Sequence, residues 1–132
     1  MAGLSVVIPT LEEASRLPLL LADLQRWPGE LEVVVCDAGS RDPTRQVAEL
    51  AGASVVISPT SGRGPQLRWG VDHSRHAWVL VLHADSRLPS AWHQKVGQIM
   101  STPKAHLSAW SFDFKVDAQE RPMLWLLERM VN

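Results

Sequence analysis

The chain opens on an apolar run, "LSVVIP" (4–9), and runs of the same kind recur at "LEVVVCD" (31–37), "ASVVISP" (53–59) and "WVLVLHA" (78–84). All four are rich in valine and isoleucine and close to continuously apolar, the pattern of strands covered on both faces. Between them the apolar positions fall at helical spacing. Leu17, Leu20, Leu21 and Leu24 mark the inward face of a helix that Pro18 opens and that runs to about Trp27. Thr44 to Ala51, closed by Gly52, predicts a second helix, Pro65 to His76 a third, and Ser90 is suited to cap a fourth that runs to about Met100. This alternation predicts a single α/β domain over 1–132, with a doubly wound, mostly parallel sheet, helices on both faces and right-handed crossovers.

The pattern changes after about residue 104. "LSAWSFDFKV" (107–116) alternates more and predicts a fifth strand, at an edge or in another direction. "RPMLWLLERMVN" (121–132) reads as an amphipathic helix with Met123, Leu126, Leu127 and Met130 on one side, suited to pairing with another copy through Leu124 to Met130.

Composition narrows the function classes. A formal net charge of −1 offers no broad basic surface for nucleic acid. One cysteine, Cys36, cannot close an internal disulfide, so a cytoplasmic setting is expected. No apolar stretch approaches the roughly 18 residues of a membrane span, and no basic-then-apolar leader precedes the first strand.

In open α/β sheets ligands bind beyond the carboxyl ends of the strands, and polar residues gather there. Pro9, Thr10, Glu12 and Glu13 follow the first strand; Asp37, Gly39, Ser40 and Asp42 the second; Gly62, Arg63 and Gln66 the third; His83 and Asp85 the fourth. In "CDAGSRDPT", Ser40, Asp42 and Thr44 are suited to satisfying free amides at a strand-to-helix turn. Asp37 is different: a carboxylate ending a buried strand needs a partner, and a ligand amide or hydroxyl is one. "SGRGPQLRWG" is not a dinucleotide fingerprint, since Leu67 stands where the third glycine belongs and the segment follows the third strand. It is instead a glycine turn presenting Arg63 near a helix N-terminus, chemistry suited to a diphosphate. In "HADS", Asp85 is suited to a hard cation already carried by phosphates, with His83 assisting. The other histidines show no zinc-type spacing, and the six tryptophans read as core or interface.

Together "VVIPTLEEA", "VVVCDAGSRDPT", "GRGPQLRWG" and "LVLHADSRLP" resemble the N-terminal half of family 2 glycosyltransferases of the GT-A fold, and more narrowly a bacterial subgroup, the radical-SAM/selenodomain-associated transferase 2 proteins. The resemblance implies a transferase that moves a sugar from a nucleotide-diphosphate sugar, a UDP-sugar first among the candidates, to an acceptor hydroxyl. It implies that Thr10 with Glu12 or Glu13 lines the nucleotide pocket, that Asp37 holds the base, that Arg63 and Gln66 lie near base and phosphate, and that Asp85 binds Mn²⁺ or Mg²⁺. This chain departs from the family pattern at Leu11 and at Arg68 or Trp69, where asparagines are usual, and at His83, where an acid is usual. Nothing in 110–132 matches the family's acceptor segments, so the chain is expected to be truncated after the nucleotide-binding half, and the catalytic base is unassigned. The alternative class is a nucleotide-binding or interaction module without turnover. A nucleotidyltransferase is disfavoured because no glycine- and lysine-rich loop follows the first strand.

Overall fold

The computed structural model describes residues 2–60, 62–103, 109–111 and 125–128. Six strands, β1 (Leu4–Thr10), β2 (Leu31–Asp37), β3 (Ser54–Ile57), β4 (Trp78–Val81), β5 (Ala109–Ser111) and β6 (Trp125–Glu128), form one sheet in the order β3-β2-β1-β4-β6-β5. The first four are parallel, β6 is antiparallel to β4, and β5 is antiparallel to β6. Among the described residues four helices follow β1 to β4 in turn: α1 (Leu17–Leu24), α2 (Thr44–Leu50), α3 (Arg63–Asp72) and α4 (Trp92–Ser101).

Alternation along the buried strands divides the core in two. Val6, Ile8, Val33, Val35 and Leu80 face a layer built from α1, α2 and α4, through Leu17, Leu20, Leu24, Ala48, Trp92 and Val96. Val7, Val34, Val79 and Val81 face the other way, onto Leu67 and Val71 of α3. Helices therefore cover both faces, as the continuous apolar runs require.

The chain steps outward from β1 to β2 to β3, then crosses back beneath α3 to reach β4 on the other side of β1. The strand order reverses between β1 and β4. At such a switch point the helices on either side leave to opposite faces, and a crevice opens at the carboxyl ends of the strands. Gly70 makes the return crossing possible. A Cβ on it would lie 2.5 Å from Val7 Cγ1, so only glycine lets α3 approach β1 this closely.

Several sequence expectations shift. The predicted terminal helix is corrected where the structure describes it: Trp125–Glu128 is strand, paired Trp78↔Glu128 through Val81↔Trp125. A buried central strand has two rows of backbone groups to satisfy, and β6 supplies the second row for β4. That demand outweighs a helical spacing of leucines, which is only a weak local preference. The helix-mediated pairing with a second copy loses its basis at these residues; the remainder of 121–132 lies outside the described residues. β5 sits within the predicted fifth strand and at the sheet edge. Ser90 does not cap α4, whose first flanking residue is Ala91 without a side-chain cap. Trp27, Trp78 and Trp92 are core residues, whereas Trp69 is 37% exposed on α3.

Candidate functional site

A cleft of about 180 Å³ lies at the switch point, lined by Pro9, Thr10, Leu11, Glu13, Arg63, Gln66, His83, Ala84 and Asp85. It joins the ends of β1 and β4 to the first turn of α3. A larger depression of about 570 Å³ lies beside α4, but Ala2, Gln94, Gly97, Gln98, Met100 and Ser101 give it no ionisable group. The chemistry is at the smaller one.

The β2 side of this region is closed on itself. Asp37 is fully buried and accepts four hydrogen bonds: Thr10 Oγ1 at 2.8 Å and Ser40 Oγ at 2.6 Å on Oδ1, and the amides of Gly39 at 2.9 Å and Ser40 at 2.7 Å on Oδ2. Arg45 Nε stands 4.0 Å away. Burial alone would raise the Asp37 pKa, but these donors, led by Ser40, outweigh it and hold the carboxyl below its ordinary value of 3.8. Gly39, at φ +98°, supplies the left-handed turn that points two consecutive amides at one carboxylate. The fold thus supplies Asp37 with four partners of its own.

The neighbouring carboxylates are used in the same way. Glu12 sits at φ 56°, a conformation costly for a non-glycine residue, and is held there from both sides. Its amide donates to Ser40 Oγ at 2.9 Å, and its carboxylate accepts the amides of Arg41 at 2.7 Å and Asp42 at 3.0 Å. Asp42 accepts from the Ala14 amide at 3.1 Å, from the Thr44 amide at 3.0 Å and from the Thr44 hydroxyl, while the Glu13 amide donates to Thr44 Oγ1 at 2.9 Å. The loops after β1 and β2 are laced together through these contacts. Glu12, Asp37 and Gly39 do not line the cleft; they shape its wall.

Gln66 is shared between the two roles. It lines the cleft, yet its amide nitrogen is buried and donates to the carbonyls of Thr10 and Cys36, both at 3.1 Å, bridging β1 and β2 where they end. Arg63, three residues earlier at the start of α3, carries no such bond and is exposed.

On the β4 side the groups are less committed. His83 begins a tight turn, with the Ser86 amide on its carbonyl at 3.0 Å. Burial, and then the nearby Arg63 guanidinium, lower the His83 pKa from 6.5, against an opposing pull from Asp85. The ring is therefore neutral near pH 7 and can offer a nitrogen lone pair. Among the described residues Asp85 has one ion pair, to Arg16 Nη1 at 3.4 Å, with Arg16 half exposed. Just beyond, the turn is anchored on α1: Arg87 Nε and Nη2 reach the buried Asp23 carboxylate at 2.8 and 3.1 Å, the Leu88 amide adds 3.0 Å, and Trp92 Nε1 donates to the Asp23 carbonyl at 2.8 Å. Asp85 is thus carried on a fixed turn with its own carboxylate on the open side.

Of the ten predicted site residues, Pro9, Thr10, Glu13, Arg63, Gln66, His83 and Asp85 are brought to the cleft, and Glu12, Asp37 and Gly39 are not. Sequence reasoning missed Arg16, Asp23 and Arg87. Asp23 leaves a signal, an acid among four inward leucines. Among the described residues no group of three or more His, Cys, Asp and Glu could hold a metal by itself. A carboxylate and a neutral imidazole two residues apart do fit a cation whose remaining ligands come from a diphosphate and water.

Comparison with known proteins gives the context. Residues 5–128 match the family described as "Glycosyl transferase family 2". Glycosyltransferase AglJ of Haloferax volcanii is 41% identical over 61% of this chain and 26% of its own length. The crystal structure of glucosyl-3-phosphoglycerate synthase from Mycobacterium tuberculosis, in complex with Mn²⁺, UDP and glucosyl-3-phosphoglycerate, superimposes with a TM-score of 0.58 at 23% identity, over 65% of this chain and 36% of that one. The mannosyltransferase PcManGT from Pyrobaculum calidifontis, in complex with GDP-Man and Mn²⁺, gives a TM-score of 0.64 at 20% identity, over 76% and 32%. The chain spans about a quarter to a third of the length of these proteins.

Proposed function

The chain belongs to glycosyl transferase family 2 and has its GT-A fold, and from that premise we propose that the switch-point cleft is the donor site of a glycosyltransferase acting on a nucleotide-diphosphate sugar. The observation that carries this reading is the meeting of Arg63, His83 and Asp85 in one cleft with Thr10 and Glu13. A volume of about 180 Å³ is below the roughly 300–1,000 Å³ of a complete small-molecule site, and suits a diphosphate with its cation.

In this reading the Arg63 guanidinium binds the diphosphate, and Asp85, with His83 beside it, would hold Mn²⁺ or Mg²⁺. When bound, the cation supplies charge neutralisation for the leaving diphosphate. The bond between the anomeric carbon and the phosphate oxygen breaks with its electron pair on the oxygen, while an acceptor hydroxyl attacks carbon and gives up its proton to a base. Asp113 and Asp117, the acids that follow in sequence, lie outside the described residues, and the base is left unassigned. Glu12, Asp37 and Gly39 act by shaping the wall. A UDP-sugar is the preferred donor; related structures hold UDP in one case and GDP-Man in another. The family resemblance at "LHADS" extends the reading to the radical-SAM/selenodomain-associated transferase 2 subgroup. A cytoplasmic site fits the single, buried cysteine, and no helix among the described residues is long and apolar enough to cross a membrane.

Calorimetric titration of UDP and GDP, with and without Mn²⁺, tests the reading. Metal-dependent binding of one nucleotide, lost in Asp85→Ala, is the expected result. A folded protein that binds neither nucleotide under any of these conditions contradicts it.

A further inference from the structure

Gln66 lines the cleft although it is only 7% exposed, and its side-chain amide is held in one orientation. Nε2 donates to the carbonyls of Thr10 and Cys36, both at 3.1 Å. Two carbonyl oxygens accept only from the NH₂ end of the group, so the turned-over amide is excluded. The backbone is fixed as well: the Gln66 amide donates to the Gly62 carbonyl at 3.1 Å, and one turn later Gly70 lies so close to β1 that an added Cβ would stand 2.5 Å from Val7 Cγ1. The Oε1 end must then point away from the strand ends. Among the described residues it accepts no hydrogen bond, and it does not belong to the sealed, unsatisfied atoms of the interior, so it opens on the cleft that Gln66 lines. A buried side chain thus spends both donor hydrogens on the fold and keeps one acceptor open.

An open carbonyl oxygen suits a hydrogen-bond donor and repels phosphate oxygens. The groups suited to a diphosphate and its cation lie elsewhere in the cleft, Arg63 one turn earlier on α3 and His83 with Asp85 after β4, whereas Gln66 is tied to the ends of β1 and β2, on the side of β1 away from β4. We propose that Gln66 Oε1 is the fixed acceptor for a hydrogen-bond donor of the nucleoside, the ring N–H of the base or a ribose hydroxyl, and that the site selects among nucleotides through that bond. The proposal rests on the donor-site reading above. Uracil and guanine carry a ring N–H on their pairing edge where cytosine and adenine carry a lone pair, and a lone pair facing Oε1 leaves two acceptors opposed in a buried corner. Because the amide cannot turn over, the corner cannot adapt to the wrong partner.

The test is calorimetry at fixed Mn²⁺ on the wild type, Gln66→Lys and Gln66→Met. Comparing UDP with CDP and GDP with ADP exchanges the ring N–H for a lone pair; comparing UDP and GDP with their 2′-deoxy and 3′-deoxy forms removes a ribose hydroxyl. Lysine keeps donors for the two carbonyls and has no acceptor, and methionine removes both ends at similar length. The readout is the ratio of affinities within each protein, which a loss of stability or a distorted cleft leaves unchanged. The wild type is expected to prefer the matching nucleotide roughly tenfold, through the base if the first comparison shows the preference and through the ribose if the second does. Both variants should bring that ratio to about one. A wild type that takes matched and unmatched nucleotides alike, or a preference that neither variant changes, overturns the proposal while the donor site stands. So does weaker binding of Mn²⁺ alone to Gln66→Met, which would make Oε1 a ligand of the cation. If the wild type binds no nucleotide, the donor-site reading fails and this inference with it.

Discussion

The loops after β1 and β2 and the turn after β4 present carboxylates at equivalent places, beyond the ends of parallel strands, yet the two regions are built on opposite plans. Asp37, Glu12 and Asp42 spend their oxygens on hydroxyls and amides of their own chain. Asp85 has a long contact to a half-exposed arginine. The difference separates holding from binding. A carboxylate surrounded by donors at 2.6 to 2.9 Å is worth most as a fixed corner of the fold, whereas one with weak neighbours keeps its capacity for a cation.

Substitutions sharpen that contrast. The largest effect on stability is expected from Asp37→Ala, which orphans two hydroxyls and two amides in a buried corner. A loss of about 3 kcal/mol in denaturant unfolding is predicted, with Asp37→Asn milder. Wild-type stability in Asp37→Ala, with nucleotide binding gone, would break the contrast by making Asp37 a ligand group. Next comes Gly70→Ala. Its new Cβ meets Val7 Cγ1 at 2.5 Å, so α3 must shift, at a cost of about 2 kcal/mol, and carry Arg63 and Gln66 with it. Weaker nucleotide binding should accompany the lower melting temperature.

Acid should act on the same corner more gently. Asp37 has a pKa below its ordinary 3.8 in the fold, so the stability it contributes is fully present above that value and is lost as pH falls from there through the lowered folded value. Asp23, lowered by Arg87 and the Leu88 amide against its burial, adds to the same loss. Unfolding curves should therefore weaken below about pH 4, and Asp37→Asn should flatten the slope. An unchanged slope would mean that the web does not depend on the Asp37 charge. The smallest stability effect is expected at Asp85→Asn, within about 0.5 kcal/mol of wild type, since an exposed ion pair contributes little.

The sheet was legible because its strands announce themselves. Four valine-rich runs separated by leucine-patterned helices leave few topologies, and the right-handed crossover rule narrows them further. The location of the cleft followed, because strand ends are where polar residues meet turns. The direction of individual carboxylates was not legible. Asp37 and Asp85 both end apolar runs, and which of them is satisfied internally depends on Gly39 turning two amides back and on Thr10 arriving from another strand. Sequence spacing carries neither fact. Arg16 escaped notice for the same reason, since it is 69 residues from its partner. The terminal segment misled in the other direction: a helical spacing of leucines was real, but β4 had an unpaired edge, and a local pattern carries no information about an edge formed 44 to 50 residues earlier.

The central claim, that one region holds the fold and the other binds the donor, is tested most directly by ligand-induced thermal shifts on the wild type, Asp37→Asn and Asp85→Asn, each with and without UDP or GDP plus Mn²⁺. Binding to the native state raises the melting temperature in proportion to the logarithm of ligand excess. The account predicts that Asp85→Asn melts with the wild type and gains nothing from the ligand, while Asp37→Asn melts lower and still gains. An Asp85→Asn protein that keeps the full shift, beside an Asp37→Asn protein that melts normally and has lost it, would contradict the account.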